Sequence, residues 1–396
     1  MLIEIHVIQN HAPSNLNRDD TGSPKECVFG GCKRARISSQ CLKRTMRRSD
    51  AFRLAMEGHL ATRTRRLPEL VRAGMLKAGL SQEMADIAAK KASGFGSKEA
   101  TEQTNLRTKQ TMFLTDADIA AVVQVLQAAA QEAASPAAFD KVPAKELQAK
   151  ARQSGFRPIS VDVALFGRMT TSEAFRDVEA ACQVAHALST HKVDHEFDYF
   201  TAVDDLKEDS LAENEEEAGA DMLGDVEFNS ACYYKYLSVD FQGLIANLTG
   251  ARIGRKEISP DEQHAAADLA ARAVTALLKA AITTTPTGKQ NSFAAHQLPA
   301  AVLVEVRPTC SPVSYANAFV DPAFRGKDGD LLKVSLDKFA KHVAKLTAGF
   351  NLQSTGRFLL IPEYAMDIPG VSTVTDLNIL CERLTACMMH EGEIHG

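Results

Sequence analysis

The sequence predicts an α+β protein built around an antiparallel sheet that carries large insertions. Residues 2–9 alternate between apolar and polar as a strand does, and a long run of Ala-rich amphipathic segments follows. Strands and helices then alternate to the end of the chain. This order is an interrupted β-α-β-β-α-β series, which is compatible with an antiparallel α+β sheet. We find no internal repeat.

The elements follow from apolar periodicity and from capping residues. After the strand at 2–9, the 3.6-residue period predicts helices near 52–62, 67–79, 81–92, 115–134 and 143–152. Thr115 is a suitable N-cap for the fourth of these, since acids follow it at once. Beyond them the pattern predicts, in order, a strand at 159–165, a helix at 172–189, a strand at 226–240, a helix at 260–281, a strand at 301–307, a helix at 333–347, a strand at 357–361 and a helix at 374–390.

Composition excludes several classes of protein. The 396 residues can bury a large core, and no apolar run is long enough to span a bilayer. The first strand lacks the positively charged start of a signal peptide. The eight cysteines form no CxxC pair and no zinc-finger spacing. We therefore expect free thiols in a reducing cytoplasm, with no metal, no cofactor and no membrane contact.

Basic charge is concentrated near one end of an acidic chain. Between Arg18 and Arg48 there are nine Lys or Arg residues against three acids, whereas the formal net charge of the protein is -5. Ser38 and Ser39 are good helix N-caps. A capped helix start followed by a basic face is a suitable seat for phosphate, although an ordinary solvated basic helix fits the charge pattern equally well.

The opposite charge dominates a later segment. Asp204 through Asp225 hold ten acids and one lysine. Such a segment cannot bury enough apolar surface to fold by itself, so we expect a solvated loop.

Two sequence patterns partly match catalytic motifs but do not complete them. A cluster formed by His186, His191, Asp194, His195 and Asp198 contains an i, i+4 histidine pair, but it lacks the Glu of an HExxH motif. The Gly-rich residues 93–98 lack Walker spacing and fit a connector between helices better than a phosphate loop. The sequence contains no G-x-S-x-G nucleophile motif.

Several motifs resemble one family. These are Ser-Asn-Leu-Asn-Arg-Asp-Asp at 14–20, Phe-Gly-Gly at 29–31, Arg-Ile-Ser-Ser-Gln-Cys-Leu-Lys-Arg at 36–44, and the blocks 162–169 and 201–206. Residues 227–236, 289–294 and 316–319 add to the match. The chain resembles the CasC family, the backbone subunit of the type I-E CRISPR surveillance complex Cascade.

The resemblance implies a hand-shaped fold. The palm would be a sheet like that of an RNA-recognition motif (ferredoxin-like), formed by residues 1–50, 156–192 and 229–396. A helical fingers insertion would span 51–155, and an extended thumb hairpin would span 193–228.

The resemblance also implies which residues bind nucleic acid. In the family, the counterpart of Met169 lies at a flipped guide nucleotide, and the thumb folds over the RNA of a neighbouring copy. The RNA-binding set that it implies is Asn17, Arg18, Lys25, Ser38, Ser39, Gln40, Lys43, Arg44, Arg47, Gly167, Arg168, Met169, Thr170, Thr171, Phe200, Thr201 and Val203. A looser match suggests DNA contacts at Lys141, Lys145, Lys150, Arg325 and Lys327.

The predicted function is therefore a non-catalytic scaffold for CRISPR RNA. Its partners would be the guide RNA, the target DNA strand, further copies of itself and other Cascade subunits. Two alternatives remain open at this stage. One is a metal-dependent ribonuclease that uses the cluster from His186 to Asp198, and the other is a monomeric single-strand nucleic-acid chaperone.

Overall fold

A computed structural model describes residues 1–133, 135–202, 222–324 and 329–392. The strands are β1 (Leu2–Ser14), β2 (Glu26–Phe29), β3 (Cys32–Ile37), β4 (Thr62–Thr64), β5 (Met112–Leu114), β6 (Cys182–Val184), β7 (Ala187–Ser189), β8 (Glu196–Ala202), β9 (Met222–Asp240), β10 (Ala301–Arg307), β11 (Gly356–Leu360) and β12 (Ser372–Val374). The α-helices are α1 (Ser39–Arg48), α2 (Asp50–Ala55), α3 (Leu67–Lys77), α4 (Gln82–Ser93), α5 (Asp116–Ala133), α6 (Pro136–Lys141), α7 (Ala144–Gln153), α8 (Val161–Phe166), α9 (Phe241–Thr249), α10 (Pro260–Thr283), α11 (Gln290–Phe293), α12 (Leu331–Gly349) and α13 (Leu377–Gly392).

One large sheet organises the chain. Its strands lie in the order β12-β11-β10-β1-β9-β7-β3-β2, and β6 and β8 also pair with β9. All of these pairings are antiparallel except that of β11 with β12. The prediction of an α+β protein with a mostly antiparallel sheet is confirmed. The finer likeness to an RNA-recognition motif remains a prediction.

The central strand β1 separates two apolar cores. Ile3, Ile5 and Val7 belong to the core that contains Leu42 and Met46 of α1 together with α10 and α13. Ile8 belongs to the core under α12. Because successive strand side chains point to opposite faces, α1 and α12 cover opposite faces of the sheet.

The helical segment has a core of its own. Its buried side chains come from α3 to α7 and include Leu67, Phe95, Leu126 and Leu147, with Phe175 added from a later loop. The five helices predicted between 52 and 152 are present with adjusted ends, and the Gly-rich residues 93–98 connect α4 to the following loop. The division into palm, fingers and thumb remains a prediction.

The strand predicted at 159–165 is wrong, since this segment forms helix α8. All of Val161 to Leu165 are buried, including Asp162. A short segment that is buried on every side carries no helical period, so its alternation was misleading. Asp162 accepts hydrogen bonds from Arg47 Nε (2.6 Å) and Ala61 N (2.9 Å), both of which come from distant parts of the chain.

The helix predicted at 172–189 is also wrong. This segment forms a loop and the short strands β6 and β7, which pair with β9 through Cys182↔Val239 and Leu188↔Tyr234. Pairing with a long strand overrides weak local helix propensity. The later predictions are confirmed, since the structure contains β9, α10, β10, α12, β11 and α13.

Two further observations bear on the class of protein. None of the eight cysteines, all of which lie in the described part of the chain, forms a disulfide. No helix in the described part of the chain is both long enough and apolar enough to cross a membrane.

Candidate nucleic-acid interface

The start of α1 is built as the sequence predicts. The Ser38 hydroxyl accepts a hydrogen bond from Cys41 N (3.3 Å), and Ser38 N donates to Asn17 Oδ1 (2.8 Å). These bonds fasten the loop before β2 to the helix. Ser38 is buried and Asn17 is half-buried, so both side chains serve the helix start itself. Ser39 is half-buried and Gln40 is exposed beside them.

Five cations on or beside α1 have no acid partner among the described residues. Arg18, Arg44 and Arg48 are exposed, while Lys25 and Lys43 are half-buried. The Lys43 ammonium lies 6.0 Å from the centre of the Phe166 ring. A cleft of about 540 Å³ is lined by two of these cations, Arg18 and Arg44, and also by the acids Asp19 and Asp20. Unpaired cations on one surface lower the free energy of a bound polyanion.

Arg47, unlike the other cations of α1, is engaged within the protein. Its guanidinium donates to Asp162 Oδ2 and to Ala61 O, both at 2.6 Å, and lies 4.8 Å from the centre of the Phe113 ring. The pair is largely buried. Arg47 therefore joins α1 to α8, and Arg48 is the exposed cation at this end of the helix.

Arg168 is also engaged within the protein. Its guanidinium donates to Asp118 Oδ2 (2.7 Å), Phe113 O (3.1 Å) and Arg176 O (3.0 Å). Its side chain is 9% exposed, and its contact with RNA stays a prediction. Gly167 ends α8 at φ 81°, and a Cβ there would approach Val178 O to 3.1 Å. Only glycine adopts this backbone conformation readily.

Buried arginines hold the loop that follows. Arg157 pairs with Asp118 Oδ1 (3.2 Å) and donates to Ala174 O (2.7 Å). The Arg168 backbone exchanges two hydrogen bonds with Val178. The loop from 167 to 178 is therefore fixed at both ends. A fixed loop can hold a side chain in place without a cost in conformational entropy when a ligand binds.

Met169 projects from this fixed loop into solvent and is 94% exposed. A methionine is usually part of a core. Gln110 Nε2 donates to the hydroxyls of Thr170 and Thr171 (3.2 Å each), and Thr170 N donates to Asp177 Oδ1 (2.7 Å). A cavity of about 150 Å³ lies beside Met169 and is lined by Arg63 and Phe113. The geometry leaves an apolar side chain projecting from a fixed loop into solvent.

The strands β8 and β9 form a hairpin that carries exposed aromatic side chains. Phe197, Tyr199 and Phe200 are 54%, 78% and 42% exposed, and Thr201 pairs with Leu223. Phe200 lies over Gly224, where any Cβ would meet its ring at 2.4 Å. Val203, Arg325 and Lys327 lie outside the described residues, as does most of the acidic segment 204–225.

The lysines that the looser match assigns to DNA contacts lie on the helical segment. Lys141 ends α6, and Lys145 lies on α7; both are exposed and have no ion pair in the described chain. Lys150 forms a pair with Glu146 at 3.0 Å.

Within the described residues, the cluster from His186 to Asp198 does not bring three ligand atoms close together. His191 Nε2 accepts Cys232 N–H (3.1 Å), and burial lowers the pKa of His191, which keeps this ring neutral. His195 contacts Glu227 and Glu26, while His186 contacts Arg36. Among the described residues, one group of three acidic or histidine ligand atoms lies close together, formed by Glu4, His6 and Glu305.

That buried group is neutralised by arginines. Glu4 pairs with Arg307, and Glu305 pairs with Arg307 (3.1 Å) and with Arg357 (2.7 Å). Burial raises the pKa of Glu305, but His6 and the two arginines outweigh it and hold this pKa at about 2. The group fits a structural network under α12 better than a cation site.

A group of cations without acid partners among the described residues is typical of nucleic-acid-binding proteins. The family comparison is more specific. Residues 3–375 match the model of the CT1975-like protein family (Cas_CT1975), and the chain belongs to that family.

Two solved structures are similar to the chain. One is a chain of a "CRISPR RNA-guided surveillance complex, pre-nicking", with 28% identity, a TM-score of 0.77, and coverage of 98% of this chain and 100% of that chain. The other is a chain of a "CRISPR RNA-guided surveillance complex", with 24% identity, a TM-score of 0.58, and coverage of 98% and 99%. At 24% identity, the second structure shows only that the fold is shared. No protein with a curated description matches the chain. The expected relation to subunits of CRISPR surveillance complexes is thereby confirmed, whereas its assignment to type I-E and to CasC remains a prediction.

Proposed function

We propose that this protein is a non-catalytic scaffold that binds CRISPR RNA in a Cascade complex of type I-E. The observation that carries the proposal is the group of five cations on and beside α1 that have no acid partner among the described residues, in a chain of net charge -5. Similarity to a subunit of an RNA-guided surveillance complex supports the choice of ligand.

Several copies would assemble head to tail along one guide. Such a heterologous contact forms an open helix when the rotation between copies does not close a ring. In each copy, Arg18, Lys25, Lys43 and Arg44 would bind backbone phosphates, with Arg48 added to the predicted set. These contacts position the RNA without reading its sequence.

Met169 and the β8–β9 hairpin would displace nucleotides at regular intervals. Unstacking one base step costs a few kcal/mol, which the phosphate contacts on either side would offset. Because the loop from 167 to 178 is already fixed, Met169 needs no ordering when RNA binds. The bases between displaced nucleotides would stay stacked and free to pair with target DNA. Base pairing, and not protein side chains, would then recognise the target sequence. Lys141 and Lys145 are the described cations that would contact the DNA.

The first test is copurification. The tagged chain is expressed with a CRISPR array and the other subunits, and the bound RNA is sized and sequenced. We expect a guide of uniform length in a particle with several copies of this chain. Heterogeneous or absent RNA on a monomeric chain would refute the scaffold and favour the chaperone alternative.

A charge reversal tests the cation group. The double variant Lys43→Glu and Arg44→Glu should bind RNA more weakly, and the dependence of its affinity on salt should be shallower. Each lost contact with a single strand reduces that slope by about 0.7. The matched control reverses the exposed lysines Lys77 and Lys256, which have no ion pair in the described chain. Equal affinity and slope for the two variants would refute the assignment.

A further inference from the structure

The hydroxyl of Thr170, next to Met169 in the sequence, has both of its acceptor positions in use. Gln110 Nε2 donates to Thr170 Oγ1 at 3.2 Å, and Ser172 N donates to the same oxygen at 3.0 Å. A hydroxyl oxygen offers two lone pairs and one hydrogen. Because both lone pairs accept bonds within the protein, this hydroxyl can act toward a ligand only as a donor.

The same amide nitrogen also holds the neighbouring hydroxyl. Gln110 Nε2 donates to Thr171 Oγ1 at 3.2 Å, and Thr171 is exposed. An amide nitrogen carries two hydrogens, so Gln110 can give one to each threonine. Two adjacent O–H groups are therefore held by one side chain, directly after a methionine that is 94% exposed.

Gln110 itself belongs to a fixed part of the chain. The hydroxyl of the buried Thr108 donates to Gln110 O at 2.8 Å, and Thr108 N donates to Arg65 O at 3.0 Å. Beyond the two threonines, the buried Gln148 donates from Nε2 to Ser172 Oγ at 3.0 Å. The threonine hydroxyls are thus held in place before a ligand arrives, which lowers the entropy cost of binding.

The group of a nucleic acid that fits two such donors is a phosphate. Backbone phosphate oxygens accept hydrogen bonds, and threonine hydroxyls are among the groups that bind them. Bases and the 2′-hydroxyl offer donors as well, which these hydroxyls would leave unpaired. Exposed charges of both signs lie close by, since Arg63 lines the cavity beside Met169 and Asp177 accepts the Thr170 N–H bond (2.7 Å). Because these two charges offset each other, the hydroxyls would carry the contact.

We propose that Gln110 is a positioning residue for RNA. Its amide occupies acceptor positions of Thr170 and Thr171 and so keeps their O–H groups free to donate to a backbone phosphate beside Met169. This inference rests on the proposed scaffold function and deepens it, because it gives the helical segment a part in holding the guide.

The test measures the affinity of the purified, RNA-free full chain for fluorescent oligo-U over a range of salt concentrations. Gln110→Leu should weaken binding by roughly 2- to 12-fold, as expected for one lost hydrogen bond. The slope of log affinity against log salt should stay unchanged, because no cation is lost. Adding Gln110→Leu to the double variant Thr170→Val and Thr171→Val should have no further effect, since Gln110 acts through those hydroxyls. Thr170→Ser keeps the hydroxyl and should keep the affinity.

Gln353→Leu is the matched control. Gln353 is exposed and also donates two hydrogen bonds, to Asn351 O (3.0 Å) and to Asn351 Oδ1 (2.9 Å). Equal affinities for Gln110→Leu and Gln353→Leu would overturn the inference, as would a further loss when Gln110→Leu is added to the threonine variant.

Hydrogen exchange of the amides from 169 to 172, measured on the same RNA-free samples, separates this inference from the scaffold function. Exchange should be faster in Gln110→Leu than in the unmodified chain and in the control. An unmodified chain that does not bind oligo-U would refute the scaffold function, whereas unchanged exchange in Gln110→Leu would refute positioning by Gln110.

Discussion

The buried carboxylate of Asp118 links stability to the position of Met169. It is 3% exposed, and its two oxygens bind Arg168 (2.7 Å) and Arg157 (3.2 Å). It also accepts Thr115 N–H (3.2 Å) at the start of α5. Asp118→Asn keeps the shape of the side chain but removes its charge, which leaves two largely buried guanidinium groups without a counter-ion.

Breaking a buried ion pair in this way costs about 3–5 kcal/mol. We therefore expect the free energy of unfolding, measured by urea denaturation, to fall by about this amount. The loop from 167 to 178 should also become mobile, because Arg168 and Arg157 hold it. Hydrogen exchange of the amides in this loop would detect the change.

A matched exposed pair provides the control. Asp86 bonds Arg72 at 2.5 Å, yet both side chains are about half exposed, at 51% and 46%. Solvent screens such pairs, so Asp86→Asn should change stability far less. Equal losses for Asp118→Asn and Asp86→Asn, or unchanged exchange in the loop, would refute the reasoning that burial makes the Asp118 pairs decisive.

Three further predictions concern single residues. Gly167→Ala should destabilise the fold by about 1–3 kcal/mol. The loss should exceed that of Gly155→Ala, because both glycines have positive φ but only Gly167 is close to a carbonyl oxygen. Equal melting temperatures for the two variants would contradict this. Met169→Ala should leave the melting temperature and assembly unchanged, since the side chain is 94% exposed. It should alter the chemical reactivity of the displaced guide nucleotides. An identical reactivity profile would exclude insertion of Met169 between bases. Burial lowers the pKa of Lys235 to about 8, so above that pH the unfolded chain binds more protons and stability should rise toward about pH 10. Lys235→Met should lack this rise in melting temperature, and an identical pH profile would rule out Lys235 as its source.

Local signals in the sequence predicted several parts of the site. Ser38 is the N-cap of α1 as the sequence predicts, because capping depends on residues a few positions apart. The same reasoning predicts the start of α5 at Thr115. The role of Met169 rests on the resemblance of the chain to a family and stays a prediction. No local signal distinguishes the exposed Arg48 from its largely buried neighbour Arg47.

Ion pairs between residues far apart in the sequence decided the rest of the site. The sequence showed Arg47 and Arg168 as cations, but their partners Asp162 and Asp118 lie 115 and 50 positions away. No local pattern predicts which acid reaches which arginine. The segments at 159–165 and 172–189 were misassigned for the same reason, since burial by distant elements and pairing with β9 outweighed their weak local preferences. The sequence by itself determined most of the helices and strands and where basic charge is concentrated. Only the tertiary structure decided which of those cations remain free for a ligand, because a cation's availability depends on its neighbours in space.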